Sequence, residues 1–205
     1  MAKKSYNVNS RTNESWGTVS NIRDVENEIR KYIIGQDDQI KKIVTAIYRS
    51  VNFKTIKSNL LIIGDSGTGK TETVKQIARK MNIPYTIEDA TKYTQEGYHG
   101  TDVSCMLENL LENAGNNIKK AQKGIIIIDE IDKKNGQEDS ASISGVGVLN
   151  SMLKFIEGSV VKINSNFEYG RKINFDTKDI IVIFMGAFNG LKKIRDDRIG
   201  ANRVG

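Results

Sequence analysis

The chain runs Gly64-Asp65-Ser66-Gly67-Thr68-Gly69-Lys70-Thr71 directly after an apolar segment, 59–63, and directly before a stretch of helical periodicity, 69–81. These eight residues match the pattern G-x-x-x-x-G-K-[ST] in full, and the flanking segments supply the strand and the helix that the pattern requires. Glycines let backbone N–H groups turn inward around a phosphate, and the helix N-terminus adds partial positive charge. The stretch therefore predicts a phosphate-binding loop that follows a buried strand.

Individual residues of this loop have distinct predicted tasks. Lys70 is expected to neutralise the β- and γ-phosphates of a nucleotide, and Thr71 is expected to give its hydroxyl to Mg²⁺. We therefore predict ATP or ADP with Mg²⁺ as ligands. The predicted phosphate-side contacts are Asp65, Ser66, Gly67, Thr68, Gly69, Lys70, Thr71 and Glu72.

A second motif is an apolar run, Ile125 to Ile128, that ends in two adjacent carboxylates, Asp129 and Glu130. Open α/β sheets bind ligands at the carboxyl ends of their strands, which is where this pair falls. Asp129 can hold Mg²⁺ through its water shell, and Glu130 can orient an attacking water. We predict Glu130, Asp129 and Lys70 as catalytic residues, and Thr71 and Asp129 as the metal-binding ones.

The rest of the chain alternates apolar segments of strand and helix character. Further strands are predicted at 85–87 and 180–184, a hairpin at 160–163 and 172–175, and amphipathic helices at 22–32 and 40–51. Such alternation predicts an α/β fold with a mainly parallel sheet flanked by helices on both faces. Residues 21–205 are expected to form one domain, preceded by a flexible polar tail, 1–20.

Composition restricts the class of protein. The net charge is +6, but the basic residues are scattered, which favours a mixed-sign surface over a nucleic-acid arm. Cys105 is the only cysteine, so an internal disulfide is excluded and a zinc site is not expected. The polar start has no apolar core of a secretory signal, and no apolar run is long enough to span a bilayer. We therefore expect a cytoplasmic protein without a membrane partner.

Segment 124–133, GIIIIDEIDK, resembles the Walker B segment of the ClpX-like AAA+ ATPases, members of the Clp/Hsp100 family. Other stretches agree with that family in the same order along residues 21–205. Ile33-Ile34-Gly35-Gln36 is similar to its I-G-Q box, and segments 89–91 and 96–100 to the approach to its aromatic pore loop. Segments 144–148 and 153–158 are similar to its second pore loop and the helix that follows.

This resemblance implies a three-layer P-loop NTPase fold, the AAA+ large subdomain, and an ATPase that unfolds proteins. Members form rings, expected to be hexameric, that thread protein substrates through a pore to a ClpP-like peptidase. The resemblance also implies that Ile33, Ile34 and Gly35 hold the adenine, that Tyr98, His99 and Gly100 form the substrate-gripping pore loop, and that Asn189 is the candidate γ-phosphate sensor. His99 stands where the family pattern has valine.

Three departures from the family pattern are visible in the sequence. A zinc-binding N-terminal module is not expected with one cysteine, and the basic loop near 170–172 is short. Segment 198–205 resembles the approach to the peptidase-docking loop, without its phenylalanine, the arginine finger or the small helical subdomain. We therefore expect the isolated chain to be weakly active, and to be either a portion of a longer protein or a natural truncation.

Two alternative functions remain at this stage. The first is a nucleotide-switched assembly or binding module with little hydrolysis, for which Glu130 would be dispensable. The second is an AAA+ nucleic-acid remodeller or helicase loader. The sequence lacks a helix-turn-helix pattern, an arginine-rich arm and an aromatic stacking surface, which argues against the second alternative.

Overall fold

A computed structural model describes residues 21–53, 57–92, 101–135, 152–153, 156–165 and 171–201. Its helices are α1 Ile22–Ile29, α2 Asp37–Asn52, α3 Lys70–Lys80, α4 Thr101–Asn113, α5 Ile118–Ala121 and α6 Leu191–Ala201. Its strands are β1 Leu60–Ile63, β2 Tyr85–Asp89, β3 Ile125–Asp129, β4 Val160–Ser165, β5 Arg171–Asp176 and β6 Ile181–Gly186. Short 3₁₀ turns follow β2 at Ala90–Lys92 and β3 at Ile131–Asn135.

Within these described ranges, four strands form a parallel sheet in the order β1-β6-β3-β2. Ile127 of β3 lies between Ile87 of β2 and Ile183 of β6, which fixes the register. Strands β4 and β5 pair antiparallel as a separate hairpin, with Ile163 opposite Ile173. The predicted α/β class, the parallel sheet and the hairpin are all confirmed.

Helices cover both faces of the sheet, because alternate residues of the central strands point to opposite sides. One face carries α1, α2 and α3, and its core is built on Ile125, Ile127, Ile181 and Ile183 of the strands. The other face carries α4 together with the hairpin, and its core includes Ile126, Ile128, Leu107, Leu110 and Phe175. This is the predicted three-layer arrangement.

The prediction of a buried strand at 59–63 was wrong for half of its side chains. Among the described strands, β1 lies at the edge of the sheet, and its burial alternates. Leu61 and Ile63 are 56% and 45% exposed, whereas Leu60 and Ile62 pack against the core of the α1–α3 face. A continuous apolar run is typical of a central strand, but the run alone does not state how many neighbours the strand has.

Parallel strands place all their carboxyl ends at one edge of the sheet. At this carboxyl edge the chain leaves β1 into the phosphate loop, β3 into Glu130, and β6 into 187–190. The opposite, amino edge is formed by the residues that precede β2, β3 and β6. Among the described helices, none is long and apolar enough to cross a membrane.

Candidate functional site

The loop between β1 and α3 has the backbone that a phosphate cradle needs. Gly67 and Gly69 both have φ of +80°, a region that side chains other than glycine rarely adopt. Gly69 is the N-cap of α3, and its carbonyl accepts the Thr73 N–H at 2.8 Å. The first backbone N–H groups of α3 therefore face the loop, where they have no helical partners of their own.

Lys70 is folded back into this loop. Its Nζ donates to the carbonyl oxygens of Gly64 at 2.5 Å and Asp65 at 2.8 Å. The Thr68 hydroxyl donates to the same Asp65 carbonyl at 2.8 Å. The loop thus holds a cation against its own carbonyl groups, and an anionic ligand would offer that cation a stronger partner.

One contact joins the two sequence motifs. The Thr71 hydroxyl at the start of α3 donates to the Asp129 carboxylate at the end of β3 over 2.7 Å. The other Asp129 oxygen accepts the backbone N–H of Glu130 at 2.9 Å. The structure therefore brings together the two side chains predicted to share a metal ion, although they are 58 positions apart in the chain.

Glu130 has a strained backbone and an occupied side chain. Its φ of 57° lies in the left-handed region, where a non-glycine residue is uncommon and costs about 1 kcal/mol or more. Its carboxylate forms an ion pair with the Lys133 ammonium group at 2.5 Å. The hydrogen bond with Glu130 raises the pKa of Lys133. Both side chains remain partly exposed, so the pair is accessible from the cavity at this edge.

The segment that follows β6 is hydrogen-bonded to the segment that follows β3. Asp132 accepts the backbone N–H of Phe188 at 2.9 Å and that of Ala187 at 3.3 Å. Phe188 also has a left-handed backbone, with φ of 51°. A Cβ added at Gly186 would lie 2.5 Å from an Asp132 oxygen, so the two segments approach as closely as glycine allows. The two hydrogen bonds to Asp132 fix the start of the turn that contains Asn189.

The segment before α2 reaches the phosphate loop from the other side. Ile33 lies close to Gly69, because a Cβ atom built on Gly69 would be 3.7 Å from the Cδ1 atom of Ile33. Gln36 donates its side-chain amide N–H to the Thr68 carbonyl at 2.6 Å. Gly35 has φ of +81° and redirects the chain between them. Ile34 is 89% exposed, so the structure does not place it against the phosphate loop beside Ile33.

These elements enclose a cavity of about 500 Å³, a volume in the range of small-molecule sites. It contains both motifs and the candidate sensor. Its lining residues are Ser66, Gly67, Gly69, Lys70, Thr71, Glu72, Lys75, Asp129, Glu130, Asp132, Lys133, Gly186, Ala187 and Asn189.

Some residues of this site were not predicted as such. Gln36, Asp132 and Lys133 fall inside stretches that resemble family motifs, so the sequence contained a signal for them. Lys75 and the Gly186–Ala187 backbone carry no motif, and only the three-dimensional arrangement shows them. Tyr98, His99 and Gly100 lie outside the residues that the structure describes, as do segments 144–148 and 1–20.

The donor set at this edge fits a magnesium ion that a nucleotide brings with it. Among the described residues, no cluster of three or more His, Cys, Asp or Glu side chains could hold a metal alone. One hydroxyl and one carboxylate, Thr71 and Asp129, do meet. Magnesium is commonly held by one or two protein groups, with phosphate oxygens and water filling its other positions. The residues present therefore suit that ion better than a dedicated metal cage.

Comparison with known proteins identifies the family. The family model described as AAA domain (Cdc48 subfamily) matches residues 55–204. The ATP-dependent Clp protease ATP-binding subunit ClpX of Borrelia duttonii is 38% identical over 202 residues, covering 89% of this chain and 47% of that protein. ClpX of Treponema denticola is 36% identical, covering 92% and 50%, and ClpX of Bacteroides fragilis is 37% identical, covering 89% and 48%. The chain thus spans about half the length of these relatives. It belongs to the AAA family of P-loop ATPases and is similar to ClpX within it.

Proposed function

We propose that this chain is the ATP-binding and ATP-hydrolysing domain of a ClpX-like protein unfoldase. The observation that carries the proposal is the 2.7 Å contact between the Thr71 hydroxyl and the Asp129 carboxylate. This contact unites the end of the phosphate loop with the end of β3 at the carboxyl edge of the sheet. The relatives are themselves named as ATP-binding subunits of an ATP-dependent protease.

In this proposal the triphosphate lies along the loop from Asp65 to Thr71 and onto Glu72. Lys70 exchanges its two carbonyl partners for phosphate oxygens, and the N–H groups at the start of α3 donate to the same anion. Ile33 and Gly35 contribute to the adenine side. The exposed Ile34 reaches the adenine only if nucleotide binding turns it inward.

Thr71 and Asp129 are the groups that would hold Mg²⁺. When bound, the ion would neutralise phosphate charge as the terminal phosphoryl group departs. A hydroxyl has lone pairs as well as a proton, so Thr71 could face the ion with its oxygen while still donating its proton to the Asp129 carboxylate. The present hydrogen bond holds both groups in place for that role.

Glu130 is the group proposed to orient and polarise the attacking water. Its carboxylate is paired with Lys133, so it must leave this partner or share it before accepting a hydrogen bond from water. Asn189 lines the same cavity and is proposed as the γ-phosphate sensor. AAA+ hydrolysis also calls on an arginine from a neighbouring subunit, so the isolated chain is expected to bind nucleotide far better than it turns it over.

Unfolding activity is proposed from the resemblance to ClpX. Residues 21–205 would form the large subdomain of one ring subunit, with Tyr98, His99 and Gly100 gripping the substrate protein in the pore. A ring of such subunits, expected to be a hexamer, would deliver the unfolded chain to a ClpP-like peptidase. The +6 charge alone gives no reason to prefer nucleic acid as the substrate.

Titration calorimetry tests the core of this proposal. The chain should bind ATP and ADP in the presence of Mg²⁺, and Lys70→Ala should abolish binding while the circular dichroism spectrum stays unchanged. Glu130→Gln should retain binding and lose turnover. A folded chain without measurable affinity for either nucleotide would overturn the assignment of the site.

A second experiment separates the motor from a nucleotide-switched binding module. In the full-length context, Glu130→Gln should stop degradation of a folded substrate, whereas a pure assembly module would keep its cellular role. Tyr98→Ala should leave ATP turnover largely intact and stop degradation. Normal degradation by that variant would remove Tyr98 from the gripping role.

A further inference from the structure

A basic groove lies at the amino edge of the sheet, opposite the nucleotide cavity. It consists of two adjoining cavities of about 410 and 430 Å³. Both cavities are lined by Asn82, Ile83, Pro84 and Lys120, so they adjoin. Two adjoining cavities offer more room than a single small anion fills.

This groove is separate from the nucleotide site. None of its lining residues lines the cavity at the carboxyl edge. Strand β3 runs between the two, from Ile125 beside the groove to Asp129 in the nucleotide cavity. Five extended residues span about 16 Å, so a ligand in one site does not touch a ligand in the other.

The floor of the groove is apolar and its rim is polar. Ile83 is only 6% exposed, Pro84 is buried and Val51 is half-buried, so the floor is rigid core surface. The rim carries four cations and several amides. These rim residues are Arg79, Lys119, Lys120, Lys123, Asn82, Asn113, Asn117 and Gln122.

The positive charge of the rim is poorly compensated. Lys119 and Lys123 are exposed and four residues apart, and neither forms an ion pair with any residue that the structure describes. The nearest carboxylate partner of Arg79 is Glu72, at 4.0 Å. Asp179 is the one carboxylate among the described residues of the lining, so Lys119 and Lys123 exceed it in charge even when Arg79 and Lys120 are left out of the comparison. The groove therefore presents excess positive charge above an apolar floor.

We propose that this groove binds an acidic segment of another polypeptide in extended conformation. Carboxylates of such a segment would meet Lys119 and Lys123, an apolar side chain would rest on Ile83 and Pro84, and the amides of Asn82 and Gln122 would hydrogen-bond its main chain, since Asn113 and Asn117 already bond the protein's own backbone. A nucleic acid suits the groove less well, because sequence-independent binding uses a longer track of cations and stacked aromatic rings.

Fluorescence anisotropy with a labelled octaglutamate peptide tests this proposal on the full chain. Lys119→Glu/Lys123→Glu should weaken binding by about tenfold or more. The matched control is Lys41→Glu/Lys42→Glu on the exposed side of α2, which changes net charge equally and should weaken binding by less than about threefold. Asp179→Asn should strengthen binding by about twofold, because it removes the opposing charge.

Three results would overturn the inference. Equal losses in the two double variants would mean that only net charge matters. Displacement of the peptide by saturating MgATP, or its loss in Lys70→Ala, would place it in the nucleotide cavity. Tighter binding of a labelled oligothymidine, lost in Lys119→Glu/Lys123→Glu but not in the control, would make the groove a nucleic-acid site. Octaglutamate binding that survives MgATP and Lys70→Ala supports the proposal even if nucleotide binding fails.

Discussion

Asp132→Ala should destabilise the chain without touching either hydrophobic core. Its carboxylate accepts two backbone N–H groups, from Phe188 at 2.9 Å and from Ala187 at 3.3 Å. A hydrogen bond to a charged acceptor contributes about 1.5–3 kcal/mol, and the longer bond contributes less. Asp132 is half-buried, so water replaces part of this contribution, and its attraction to the exposed Lys133 adds little. We therefore expect a loss of about 2 kcal/mol in the free energy of unfolding.

Urea denaturation followed by circular dichroism measures this loss. For a chain of this size the urea dependence is near the upper end of about 1–3 kcal/mol per molar, so the midpoint should fall by about 0.7 M. Asp132→Asn keeps one acceptor oxygen and should lose roughly half as much. The matched control is Asp196→Ala, since Asp196 is exposed on α6 and, among the side chains that the structure describes, pairs with its neighbour Arg195 alone, and its effect should stay within about 0.5 kcal/mol.

A midpoint that moves no further in Asp132→Ala than in Asp196→Ala would refute this role of Asp132. In that case water would replace the two hydrogen bonds without loss, and the segment after β6 would not depend on them. A change in the urea dependence rather than in the midpoint would instead indicate an altered denatured state.

Three further predictions follow from the same geometry. Ile127→Ala should lower the free energy of unfolding by about 2–5 kcal/mol, whereas Leu61→Thr on the exposed face of β1 should lower it by less than about 1 kcal/mol, both by urea denaturation. Gln36→Ala should weaken MgADP binding by roughly 2–13-fold in calorimetry, the equivalent of one hydrogen bond of about 0.5–1.5 kcal/mol, with exposed Gln39→Ala unchanged. Glu130→Gly should abolish turnover without lowering thermal stability, because glycine relieves the left-handed backbone and the lost ion pair with Lys133 is solvent-exposed.

The sequence predicts the phosphate loop and the fold class because their signals are local. Gly67 and Gly69 occupy left-handed backbone positions that a pattern of glycines directly encodes. The run Ile125–Ile128 is buried on both faces, as a continuous apolar segment predicts. The pairing of Thr71 with Asp129 was expected from the parallel-sheet rule, which brings the carboxyl ends of strands to one edge.

The features that escaped prediction depend on neighbours distant in the chain. Leu61 is exposed on a strand that lies at the edge of the sheet among the described residues, and the sequence of one strand does not encode the order of the strands. The hydrogen bonds from Ala187 and Phe188 to Asp132 join segments more than 50 positions apart in the chain. The basic groove combines residues that precede three different strands. No short sequence pattern indicates that these residues come together in the fold.

Strain and function coincide at the carboxyl edge. Of the non-glycine residues described with positive φ, Glu130 and Phe188 both lie there, and Asp132 connects their segments. Each left-handed residue costs about 1 kcal/mol or more, and glycine would remove that cost at either position. Relief at Glu130 would also remove the carboxylate that we propose orients the water, and its ion pair with Lys133 is too exposed to offset the strain. If stability alone had shaped this edge, glycine would serve better at Glu130. We therefore propose that glutamate stands there for the chemistry of its carboxylate, and a comparison of stability with turnover in the same Glu130→Gly variant tests that role.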